Sequence, residues 1–140
     1  LFSAEEWGLA GSARWLASLA ADERARMRLD VNLDTIAGDD TLTALTSGFA
    51  ELEPLMARAG AIAGVPIGTW LPLMTNSDHA NFAQAGIPAL RLLAGFDRPA
   101  SNVRYILSAR ARRELIDERD LRRATRAAAA IVALGMDLPA

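Results

Sequence analysis

The sequence predicts an α/β sheet with helices on both faces, and three observations carry that prediction. Extended segments alternate with segments of helical spacing along the chain. Several of the extended segments are apolar throughout, as strands buried on both faces are. No internal repeat, linker or low-complexity tract interrupts the alternation. At 140 residues the chain fits one domain, or the larger part of one, and is long enough to bury a core.

Taken in order, Leu1 to Ser3 reads as the stub of a strand that ends at Glu5-Glu6. Gly8 and Gly11 then mark a tight turn, and Ser12 is positioned to cap a helix running to about Ala21. Trp15, Leu16 and Leu19 form its apolar stripe, and Ala21 to Arg24 is a polar break. Met27, Leu29, Val31 and Leu33 alternate into a strand that closes at Asn32-Leu33-Asp34. Gly38-Asp39-Asp40 is a turn, and Thr41 to Thr46 is a second strand.

A helix follows over Ala50 to Ala63, with Leu52, Leu55, Met56, Ala59 and Ile62 on one face, stopped by Gly64-Val65-Pro66. Ile67 to Leu73 is extended, and Ser77 or Asp78 can cap a short helix that Gly86 closes. Ile87 to Leu93 is a strand of the buried type, and Val103 to Leu107 is expected to be a last short strand. Asp117 caps a long final helix, with Leu121, Ala124, Ala128, Ile131 and Val132 facing inward and Gly135 at its end.

Composition excludes more than it assigns. The net charge of −2 lacks the basic surface that nucleic acid requires. All 15 basic residues are arginine. The absence of cysteine removes disulfides and thiolate ligands, and no apolar run is long enough to span a membrane. The chain starts at Leu1, in what reads as the end of a buried strand. It is therefore expected to be the later portion of a longer protein.

Sites in such sheets gather beyond the carboxyl ends of the strands. Glu5-Glu6, Asp34 and Asp78 fall at expected strand or loop ends, and carboxylates suit a hard or borderline cation. Each has a plainer reading. A Glu-Glu pair is most often a solvated turn, and Asp34 a strand-end turn former. Asp78 suits a helix cap, and His79, the only histidine, is more often structural than a ligand. Arg91 and Arg98 could bind a substrate carboxylate, although a surface position is the simpler expectation. Trp70 to Met74 could border a pocket, with core packing the simpler expectation.

Order and context give these signals joint weight. Phe2-Ser3-Ala4-Glu5-Glu6-Trp7-Gly8-Leu9-Ala10-Gly11-Ser12 closely resembles the catalytic turn of the M28 family of zinc peptidases. Asn32-Leu33-Asp34 matches that family's Asn-x-Asp at a strand end. Ser77-Asp78-His79-Ala80-Asn81-Phe82 matches its Ser-Asp-His/Tyr-x-x-Phe segment, and Gly86-Ile87-Pro88-Ala89 leads into a buried strand as expected. The family comprises two-zinc aminopeptidases and carboxypeptidases, with glutaminyl cyclases as relatives.

The resemblance implies a three-layer α/β/α sandwich with a mixed sheet, the phosphorylase/hydrolase-like exopeptidase fold. Residues 1–140 would be the C-terminal part of its single catalytic domain. It further implies Glu5 as the general base, Glu6 as a ligand of one zinc and Asp34 as a ligand of the other. Asp78 and His79 would line the substrate pocket. The implied activity is release of N-terminal residues from peptide substrates by metal-activated water.

Two departures qualify that expectation. The family's His-x-Asp motif would lie upstream of Leu1. Its final histidine falls where this chain has Leu107, with Ala111 where an Asp is expected. Of five protein ligands only Glu6 and Asp34 remain, short of zinc's usual four-fold shell, so these residues alone are expected to be inactive. The alternatives are a non-catalytic descendant used for binding or assembly, and glutaminyl-cyclase-like acyl transfer. A partial sheet would also leave an edge open to pairing with a second copy.

Overall fold

A computed structural model describes residues 2–139. The elements are α1 (Ala10–Ser18), α2 (Ala21–Ala25), β1 (Asp30–Leu33), β2 (Leu42–Leu45), α3 (Leu52–Ala63), β3 (Ile67–Trp70), α4 (His79–Gln84), β4 (Ala89–Ala94) and α5 (Glu118–Gly135). The four strands form one sheet in the order β1-β4-β2-β3. β1 runs parallel to β4 and β2 parallel to β3, while β2 and β4 are antiparallel. The sheet is mixed, with helices on both faces, as expected.

Alternation along β4 decides what each face receives. Leu90, Leu92 and Ala94 join Leu42 and Ala44 in a core closed by α3 and α5. Ala89 lies on the other face, with Leu16, Phe82 and Ile87 beneath α1 and α4. In the larger core α5 offers small side chains, Ala124, Ala127 and Ala128, to the α3 face carrying Leu52, Met56 and Ala59. At the end of α5, a Cβ on Gly135 would stand 2.6 Å from the terminal methyl of Leu29, so a larger residue there would require the Leu29 side chain to shift.

Several local expectations are corrected. Leu1 lies outside the described residues, and Phe2 and Ser3 are not in a strand. The polar break after α1 is itself a helical turn, because the Glu23 carboxylate reaches back to accept from Ala20 N at 2.8 Å. Asn102–Tyr105 is a 3-10 turn rather than a last strand, and it adds nothing to the sheet. Asp117 does cap α5, accepting from Arg119 N at 2.8 Å.

Other assignments fail on exposure. Leu121, Val132 and Ile62 sit at the margins of their helical stripes and are exposed. Trp70, Leu71 and Leu73 are also exposed rather than core, with Trp70 packed against Phe96 at 5.4 Å between ring centroids.

Candidate functional site

Backbone strain shapes the first motif. Ala4 and Leu9 both adopt left-handed φ of 58°, a conformation that costs a non-glycine residue about 1–2 kcal/mol. Bonds from Leu9 N to Glu5 O (2.9 Å) and from Ala10 N to Ala4 O (3.1 Å) close the turn. Gly11 is required for contact: a Cβ there would lie 2.0 Å from the Ser3 carbonyl oxygen. The turn therefore folds back on its own lead-in and presents Glu5 inward.

Ser12 does not cap α1, whose first residue is Ala10. Its buried hydroxyl instead lies in a very short hydrogen bond to Asp78 Oδ1. Asn81 Nδ2 donates to Ser12 Oγ (2.8 Å) and Leu9 O (2.9 Å), tying the Glu5 turn to α4. Asp78 stands at the N-cap position of α4, yet its carboxylate makes no capping bond. Tertiary pairing with Ser12 takes that role away from it.

Asp30 and Asn32 of β1, and Asp34 just past its end, share one face by continued alternation. Asn32 Nδ2 donates to Ser77 Oγ (2.7 Å), and Ser77 Oγ donates to Asp34 Oδ2 (2.8 Å). Thr35 Oγ1 donates to Asp34 Oδ1 (3.0 Å). Arg91 Nη2 lies 3.0 Å from Asp34 Oδ2, and Arg91 Nη1 donates to Asn76 O at 3.2 Å. Arg91 is only 5% exposed, so the surface arginine expected from sequence is a buried ion-pair partner. Arg98, by contrast, is half-exposed and paired with Asp39 at 3.3 Å.

Glu5, Asp30, Asp34 and Asp78 converge on one cavity of about 440 Å3, with Phe2 and Ser77 among its other walls. The Glu5 carboxyl is raised above its ordinary range, first by partial burial and then by the negative charges of Glu6, Asp34 and Asp78. The Ser77 hydroxyl opposes that shift, but its single proton is directed at Asp34. Glu6 itself is exposed and does not line the cavity. The two neighbouring carboxylates thus point apart, one inward and one to solvent.

Asp30 was missed by sequence reading, although its period-two spacing to Asn32 and Asp34 was there to be read. Burial, with the charge of Asp78, pushes it up to about 7, and its buried Oδ2 has no hydrogen-bond partner. His79 is fully buried behind the cavity rather than lining it. Burial, followed by the charge of Arg91, pushes it down to about 4. The backbone of Met74 is near enough to favour the charged form slightly, yet neither ring nitrogen completes a hydrogen bond.

The zinc implied by the motifs can be tested against this donor set. Among the described residues, no group of three or more His, Cys, Asp or Glu side chains could hold a metal ion. Asp34 already neutralises a buried guanidinium, and Leu107, in the place expected of the last histidine, is 82% exposed and carries no donor. The residues present do not fit a two-zinc centre.

No curated protein matches the chain. Solved aminopeptidases do match its fold. BSAP, a zinc aminopeptidase from Bacillus subtilis, superposes with a TM-score of 0.82 at 24% identity, over 94% of this chain and 34% of its own. An aminopeptidase from Aneurinibacillus sp. strain AM-1 gives 0.76 at 28% identity, over 94% and 31%. The LapA aminopeptidase of Legionella pneumophila gives 0.76 at 20% identity, over 99% and 38%. The chain therefore spans about a third of the length of these relatives. They bear out the α/β class and the mixed sheet. The family model for peptidase family M28 matches residues 1–132, nearly the whole chain, so this protein belongs to peptidase family M28.

Proposed function

We propose that this chain supplies the proton-handling wall of an aminopeptidase that releases N-terminal residues from peptides. The observation that carries the reading is Glu5, a carboxyl of raised proton affinity facing a cavity at the strand ends. A carboxylate whose proton affinity is raised is a better proton acceptor than an ordinary one. In the proposed reaction Glu5 takes the proton of the attacking water and returns it to the departing amine. Asp78 holds the turn that aims Glu5, through Ser12. A largely apolar cavity of about 570 Å3 begins at Thr35, next to Asp34, and continues over Tyr105, Ile106, Leu115 and Ile116. It suits an apolar substrate side chain.

Support for a peptidase comes from the family and from aminopeptidases of like fold. Zinc is named for the Bacillus subtilis relative. The family resemblance assigns Glu6 to such a site, but in this chain Glu6 is exposed and does not line the cavity. Hydrolysis of aminoacyl-nitroanilides by the full-length protein tests the reading. Glu5→Gln should lower kcat at least ~100-fold, the usual scale for losing a general base, with the fold unchanged by circular dichroism. Full activity in that variant would remove Glu5 from the base role. No turnover in the wild type would instead favour a binding or assembly role.

A further inference from the structure

Arg91 is the least expected residue of the sheet. It stands in β4, a strand buried along its whole length, opposite Asn32 of β1 and Leu45 of β2. Its face is the one that carries the site, because alternation sends Leu90 and Leu92 to the α3/α5 core. A guanidinium keeps its charge at physiological pH, and a buried charge needs a fixed partner. Asp34 is that partner, at 3.0 Å, and Asn76 O holds the other terminal nitrogen. Arg91 Nε is buried with no partner of its own.

The pairing leaves Asp34 little to give a metal. A carboxylate offers about four acceptor positions, and Arg91, Ser77 and Thr35 take three of them. A divalent ion on the same carboxylate would lie close to the buried Arg91 charge, and the partial exposure of Asp34 screens that repulsion only in part. We propose that Arg91 is the built-in counter-cation of Asp34, standing where a second metal ion would neutralise it, so that the site takes at most one divalent cation. This deepens the peptidase reading and rests on it for the site's identity, but its test does not depend on turnover. Arg91 acts here as a positioning residue: it fixes Asp34 and sets the charge of the site without touching the reacting atoms.

The test is zinc content by plasma mass spectrometry of the full-length protein, equilibrated with zinc and desalted. Wild type is compared with Asp34→Asn and with the double variant Asp34→Leu/Arg91→Met, which leaves no buried charge unpaired. The expected result is an unchanged zinc content in every variant that keeps its circular dichroism, with no more than one ion per chain. Two ions per wild-type chain, or one ion fewer in a folded variant, overturns the proposal. If neither variant folds, the wild-type count alone decides. Nitroanilide turnover on the wild-type sample separates the two readings. Its absence ends the peptidase assignment, while a zinc content that does not depend on Asp34 still upholds the role of Arg91.

Discussion

Asp30 and His79 are both held neutral by burial, and their effects on stability have opposite signs. Asp30 is raised to about 7 in the fold, so its contribution is fully present below its unfolded value near 3.8 and is lost as pH rises toward 7. His79 is lowered to about 4 from 6.5, so its contribution is present above 6.5 and is lost as pH falls toward 4. Over the shared window the two slopes oppose one another. Asp30→Asn should therefore unmask the histidine: in chelator, urea stability of the variant rises from pH 4.5 to 6.5, while the wild type changes much less. Equal pH profiles in the two proteins would refute this. Asp34 is a second case at this scale. Asp34→Asn leaves the Arg91 guanidinium buried without its charge partner, and a loss of about 2–3 kcal/mol in urea unfolding is expected. That is below the usual 3–5 kcal/mol for a buried pair, because the Asp34 side chain is itself 35% exposed.

The turn from Ser3 to Ser12 works as one element, in which backbone contact and side-chain pairing are inseparable. Gly11 allows its carbon to lie against the Ser3 carbonyl, and Ser12 and Asn81 fasten the far end to α4. Gly11→Ala should push the turn away from its lead-in, because the obstruction at 2.0 Å is backbone and cannot rotate aside. The expected cost is about 1–3 kcal/mol, with kcat falling more than stability alone explains. Thermal melts and steady-state kinetics on one preparation would separate the two effects, and a variant matching wild type in both would show that the turn tolerates the shift. In α5 the lesson is different. Its alanines were legible as core because their spacing is helical, whereas Leu121 and Val132 lie at the edge of that stripe and remain exposed.

At the scale of the molecule, β1 and β3 are the outer strands of the sheet among the described residues. Trp70, Leu71 and Leu73 add exposed apolar surface at or just beyond the end of β3. Unpaired strand edges recruit other strands. Residues 1–140 prepared alone are expected to self-associate with increasing concentration, as light scattering after size exclusion would show. A monomer throughout the micromolar range would argue that the edges are protected.

The sequence by itself determined the family, the α/β class and the neighbourhood of the site. The class rests on strand and helix periodicity and turn-forming glycines, and the family on the resemblance of the run around Glu5-Glu6 and the motifs that follow it. Candidate residues Glu5, Asp34 and Asp78 were legible for the same reason, each standing at an element boundary. Only the tertiary structure decided which of them meet. It turned Glu6 to solvent, drew Asp30 into the cavity, buried His79 behind it and set Arg91 against Asp34. The physical reason lies in long-range pairing. Sequence spacing fixes the face a side chain takes, but charge compensation is fixed by the neighbouring strand, here 57 positions further along the chain.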